Sequence, residues 1–187
     1  MSTLTVDTIQ GKTTAGTVKL PAGSILQTIS GTFTGTTSKS GTSYSDIDSS
    51  LNLSITPKYS TSKLLYTGSI MIGTQDDVTA LVRLLQNGSE IGSGASDGNR
   101  STAHTGTSYW YLETKSNFGN YYEVYSNVIH YLTDSAIGTT NTITVKPQIV
   151  NGDTSGNSFF INRGMNNSDY AWVGRFVSTF TVQEISQ

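Results

Sequence analysis

Read for its pattern of apolar and polar positions, the chain alternates at period two and almost never at 3.6. Short runs rich in β-branched and aromatic residues recur between clusters of Gly, Ser, Asn and Asp. That spacing predicts about eight strands and an all-β sandwich or barrel. Residues 24–35 (SILQTISGTFTG), 50–57 (SLNLSITP) and 158–164 (SFFINRG) read as strands. Residues 63–73 (KLLYTGSIMIG) are apolar on both faces and read as a central one. Residues 79–92 (TALVRLLQNGSEIG) read as a hairpin, because Asn87-Gly88 supplies a pair of residues that tolerate positive φ. In 141–150 (NTITVKPQIV), Ile143, Val145 and Ile149 share a face, and Pro147, lacking a ladder donor, predicts an edge or a bulge.

Two further strands carry most of the aromatic residues. In 121–132 (YYEVYSNVIHYL), Tyr122, Val124, Val128 and Leu132 share one face with Ser126 and His130, and this face is expected to be core. Tyr121, Tyr125, Ile129 and Tyr131 lie on the other. A tyrosine buries apolar area while keeping a polar tip, so this second face is the expected subunit interface. Residues 172–185 (WVGRFVSTFTVQEI) read as one long terminal strand with Trp172, Phe176, Phe180 and Val182 on one side. Residues 35–46 and 93–108 read as flexible loops by composition.

Residues 1–22 differ from the rest. Leu4, Val6, Ile9, Val18 and Leu20 are spaced along an extended ribbon that ends at Pro21-Ala22-Gly23. An isolated strand has no stability of its own. It gains hydrogen bonds and buries its apolar side only by joining another chain's sheet. The expected organisation is therefore an attachment arm, 1–22, and a β-sandwich head, 23–187.

Composition narrows the chemistry. Among 187 residues only 13% are charged, the net charge is −2 and there is no cysteine. Disulfides and thiol catalysis are excluded. Without a basic patch, neither nucleic acid nor an anionic membrane is an expected partner. Residues 1–20 have neither a basic segment nor a continuous apolar run, so no classical secretory signal is expected. The two histidines, His104 and His130, are too few for a zinc site, and His130 is expected in the core and His104 in a solvated loop. Asp76-Asp77 and Asp97-Gly98-Asn99 lack the spaced carboxylates of a calcium loop and read as turns. Asp76, Asp77, Glu113 and Glu123 could in principle cleave a glycoside, but nothing pairs any two. No catalytic, cofactor-binding or metal-binding residue is assigned, and an enzyme is not expected. Within 109–113 (YWYLE), Trp110 reads as core, while Tyr109 and Tyr111 are the candidates for contact with a glycan.

Several stretches carry a family resemblance. STLTVDTIQGKTTAGTVKLPAGSILQ resembles the opening of small virion structural proteins of tailed bacteriophages, notably those infecting marine cyanobacteria. LNLSITPKYSTSKLLYTGSI, RLLQNGSEIG, FINRG and the closing STFTVQEI are similar to later segments of the same group. The likeness spans nearly the whole chain, with residues 93–140 matching only loosely. It implies a β-sandwich of jelly-roll type, like the C1q and tumour-necrosis-factor heads, assembled as a homotrimer. It also implies a non-enzymatic fibre, tail or neck appendage of the virion, partnered by other virion proteins. The alternative is a glycan-binding, receptor-recognising head that contacts host surface polysaccharide.

Overall fold

The computed structural model describes residues 20–74, 78–108, 122–152 and 157–187. Among them are twelve strands, one 3-10 turn at Ser49–Leu51 and no α-helix. The strands form two antiparallel sheets. The first is built on β5 (Lys63–Thr74), the central strand anticipated from its two apolar faces. One edge of β5 takes β9 (Tyr125–Leu132). The other takes β12 (Ser178–Ile185) and then β11 (Phe159–Ile161). Outside β12 lies β1 (Ile25–Phe33), and outside β11 lies β2 (Thr37–Lys39). The second sheet is built on β10 (Ile143–Asn151) and β6 (Thr79–Gln86). β3 (Ser45–Asp46) and β4 (Leu53–Ile55) flank β10, while β7 (Ser89–Ile91) and β8 (Thr105–Ser108) flank β6.

The core lies between the sheets. Alternation along β5 turns Leu64, Tyr66, Ile70 and Ile72 inward, with Phe180 and Val182 beside them on β12. Val82, Leu84, Val145 and Ile149 of the second sheet are equally buried in the same cluster. Two glycines on inward positions admit backbone where a side chain would stand. A Cβ on Gly68 would lie 2.4 Å from the Thr179 carbonyl oxygen, and one on Gly31 would lie 2.1 Å from that of Ser50. The hairpin turns at Asn87 (φ 49°) and Gly88 (φ 82°), as the sequence requires.

Several expectations are corrected. The inward face of β9 is the odd one: Asn127 and Ile129 are buried, while Tyr122, Val128, His130 and Leu132 are exposed. The even face holds more apolar side chains, but Asn127 is satisfied inside. Its Oδ1 accepts from Thr107 Oγ1 at 2.8 Å and its Nδ2 donates to the Tyr125 carbonyl at 3.2 Å. A buried amide costs little once bonded, so the pattern of apolar residues alone misassigned the face. Pro147 lies at neither an edge nor a bulge. Its ring nitrogen faces the gap between the β4 pairing, which ends at Val145, and the β3 pairing, which begins at Gln148. The terminal strand starts at Ser178, so Trp172 and Phe176 precede it. The stretches 35–46 and 93–108 contain β2, β3 and β8. The second is pinned further by Gly94 N–H to the Ala103 carbonyl at 3.0 Å and by Tyr44 Oη to the Thr102 carbonyl at 2.9 Å.

Candidate functional surfaces

The register of the first sheet sets three rows of four side chains across its outer face. They are Thr28, Gln183, Leu65 and Leu132; Ser30, Thr181, Thr67 and His130; and Thr32, Thr179, Ser69 and Val128. No Asp, Glu, Lys or Arg stands among them. Hydroxyls bond along the face, Ser30 to Thr181 at 2.9 Å and, just beyond it, Ser69 to Ser126 at 2.6 Å. Val128 is 61% exposed at one margin, and Leu132 and Ile25 are also open to solvent. An uncharged face with open aliphatic side chains is unlike the charged surface that keeps a free domain apart from its neighbours.

The two ends of the sandwich differ. Ile25, Ile185 and Lys63 lie side by side at one end. The arm root sits there: Gly23 N–H donates to the Ser186 carbonyl at 2.8 Å, and Ser186 Oγ to the Leu20 carbonyl at 3.3 Å. Leu20 itself is exposed. A buried carboxylate stiffens this end. Glu184 accepts from Lys58 N–H at 2.9 Å, Tyr59 N–H at 3.1 Å, Ser62 Oγ at 2.7 Å and Gln27 Nε2 at 2.7 Å. Burial pushes its carboxyl pKa up, but these donors outweigh it and hold the group below the ordinary carboxylate range. A cleft of about 310 Å³ also opens here, lined by Gln86, Ile91, Tyr131, Asp134 and Ile137 among others.

Among the described residues, the opposite end carries the connections 34–36, 40–44 and 162–177. In the last of these, Tyr170 and Trp172 stack with ring centroids 4.8 Å apart and planes within 8°.

Of the arm positions, Leu4, Val6, Ile9 and Val18 lie outside the described residues, as do Tyr121 and the glycan candidates Tyr109 and Tyr111. The expected interface residues do not form an outer surface. Ile129 is buried and Tyr131 packs against the core, stacked on Tyr66 at 6.1 Å. Tyr125 is half-buried, with its hydroxyl donating to Glu123 Oε2. The face of β9 that does look outward is the one expected to be core. Sequence reading also missed the Tyr170–Trp172 pair, because Trp172 was placed in a strand; the Asn-Asn-Ser-Asp run at 166–169 was the available signal for a loop.

Neither histidine matches its expected setting. His130 is exposed, and His104 is half-buried, with Nδ1 at 2.8 Å from the Gly92 carbonyl oxygen. His130 N–H donates to His104 Nε2 at 3.3 Å, so Nδ1 carries the proton. Residues 94–98 (GASDG) have the spacing of a nucleophile elbow, but they lie between β7 and β8 rather than on a strand-to-helix turn. Ser96 is exposed, and His104 is bonded to other partners. Asp97-Gly98-Asn99 is a turn, closed by Arg100 N–H to the Asp97 carbonyl at 3.2 Å. Among the described residues, no three His, Asp or Glu side chains cluster as a metal site, and no helix is long and apolar enough to cross a membrane. No protein-family model matches the chain, and no curated protein matches it.

Proposed function

We propose that this chain is a non-enzymatic virion structural protein of a tailed bacteriophage, a short fibre, tail or neck appendage. Residues 1–22 fasten it to the particle. The head is a homotrimer that associates through the outer face of the first sheet. The observation that carries the reading is that face: twelve adjacent positions without a charge, exposed Val128 and Leu132 among them, bordered by the row of Ile25, Ile185 and Lys63. Burying it against a second copy removes apolar surface from water and strands no charge.

Three further observations support the reading. The sequence resemblance to such virion proteins spans nearly the whole chain. Two antiparallel sheets around one core, β1-β12-β5-β11-β2 with β9 beside β5 in one and β3/β4-β10-β6-β7/β8 in the other, support the two-sheet head that the jelly-roll reading requires. The arm root and the 162–177 connection lie at opposite ends, so an anchor at one end leaves the other projecting outward.

Sedimentation of the full-length protein tests the assembly. A trimer of the 20.0 kDa chain sediments at three times that mass. Val128→Glu combined with Thr67→Glu yields a folded species of single-chain mass. A wild type that sediments as a single chain, or a double variant that remains trimeric, refutes the interface. Deleting residues 2–20 leaves a folded head that no longer joins particles; normal incorporation of the truncated chain refutes the arm as anchor.

A further inference from the structure

After β11 the chain passes through residues 162–177 before re-entering the first sheet as β12. Val173 N–H donates to the Tyr170 carbonyl at 2.9 Å and closes a turn that folds Trp172 over Tyr170. The rings nevertheless stand in water, with Trp172 67% and Tyr170 53% exposed. The protein buries Tyr66, Phe159 and Phe180 completely, so this exposure does not reflect the want of a core. Stacking covers one face of each ring and leaves a flat outer face free.

The groups around the pair are mostly neutral hydrogen-bonding side chains. Asn166 Oδ1 accepts from Ser168 N–H at 2.8 Å, and its Nδ2 donates to Tyr122 Oη at 3.1 Å. Arg175 is occupied by Asn167 Oδ1 at 2.7 Å. Arg163 is turned onto the Gly164 and Met165 carbonyls and lies 4.3 Å over the Phe160 ring. Asp169 is the only acid in the segment. Two occupied arginines give no basic track for a polyanion. Two aromatic rings also fall short of a protein partner, since each buries roughly 150–250 Å² while a stable interface needs about 800 Å² per side. A pyranose matches what is present: its small apolar C–H face fits the exposed ring, and its neutral hydroxyls need no charged partner from the segment.

We propose that the Tyr170–Trp172 pair is a binding platform for a neutral, hexose-rich glycan, with the outer face of Trp172 stacked on a pyranose ring. The platform is made of other residues than Tyr109 and Tyr111, and its binding does not require the trimer.

The chain has two tryptophans, so Trp110→Phe leaves Trp172 as the sole tryptophan reporter, read with excitation beyond the tyrosine band. Full-length protein is titrated with maltohexaose, cellohexaose and mannohexaose, with dextran sulfate as the anionic control. Calorimetry on the wild type repeats the measurement should the reporter variant fold poorly. At least one neutral hexaose shifts the emission saturably, and in calorimetry Trp172→Ala weakens its binding by about tenfold or more. Trp172→Phe retains most of the affinity. Silence towards all three hexaoses at millimolar concentration overturns the proposal, as does undiminished binding by Trp172→Ala or stronger binding of dextran sulfate. Sedimentation of the same samples separates the two readings. A Trp172→Ala protein that loses its trimer yet binds sugar unchanged makes Trp172 a subunit contact and refutes the platform.

Discussion

Glu184 gives the sharpest test of the energetics. Its carboxylate is buried, no cation among the described residues pairs with it, and it is held by donors from three separate stretches: Gln27, the 58–59 backbone and Ser62. Glu184→Ala deletes the acceptor and leaves four donors facing a void. Each charge-assisted bond contributes about 1.5–3 kcal/mol, and a stranded donor costs about 1–3 kcal/mol. Water entering the 57–62 turn recovers part of this, so the expected loss is on the order of 3–5 kcal/mol. For a chain of this length that lowers Tm by roughly 6–20 °C. Glu184→Gln keeps one oxygen for the Lys58, Tyr59 and Ser62 donors and turns an amide toward Gln27, so it loses less, about 1–3 kcal/mol. The pH dependence follows from the depressed pKa. Glu184 stabilises the fold fully above its ordinary value of 4.5, and that contribution is lost as pH falls through its lower folded value. Urea titrations at a fixed protomer concentration, from pH 6 down to pH 3, measure both effects. Two substitutions that each cost under 1 kcal/mol, or a wild type whose acid limb overlays that of Glu184→Gln, would refute the reasoning.

Three other substitutions probe the packing, each read by the same urea titration. Asn162 is buried at φ 61°, with Nδ2 donating to the Phe33 and Gly35 carbonyls and Oδ1 accepting from Ser178 Oγ. Asn162→Asp turns a carboxylate onto two carbonyls and costs about 3–5 kcal/mol, whereas a loss under 1 kcal/mol contradicts the network. Gly68→Ala drives a Cβ against the Thr179 backbone and costs about 1–3 kcal/mol or more, and a neutral outcome shows that β12 can shift aside. Tyr66→Phe removes the 2.6 Å bond to Gln86 Oε1 and costs about 1 kcal/mol with the core otherwise unchanged.

Much of the fold is legible in the sequence because a strand's period of two is local. The strand at 63–73, the Asn87-Gly88 hairpin and the all-β character all follow from neighbours in the chain. Which face turns inward is not local. Asn127 could be buried only because β8 brings the Thr107 hydroxyl to its amide oxygen, and nothing within 121–132 announces that partner. The same holds for Glu184, which reads as one more polar position on a strand until residues 27, 58, 59 and 62 converge on it. The candidate surfaces divide in the same way. Low charge and abundant Thr and Ser were fixed by composition, but register alone gathered twelve positions from four strands, seven of them Thr or Ser, into one face without Asp, Glu, Lys or Arg. Trp172 stands in water because the turn at Tyr170–Val173 lies outside the sheet. Alternation specifies strands, while hydrogen-bond partners far apart in the chain decide which of a strand's two faces can leave water.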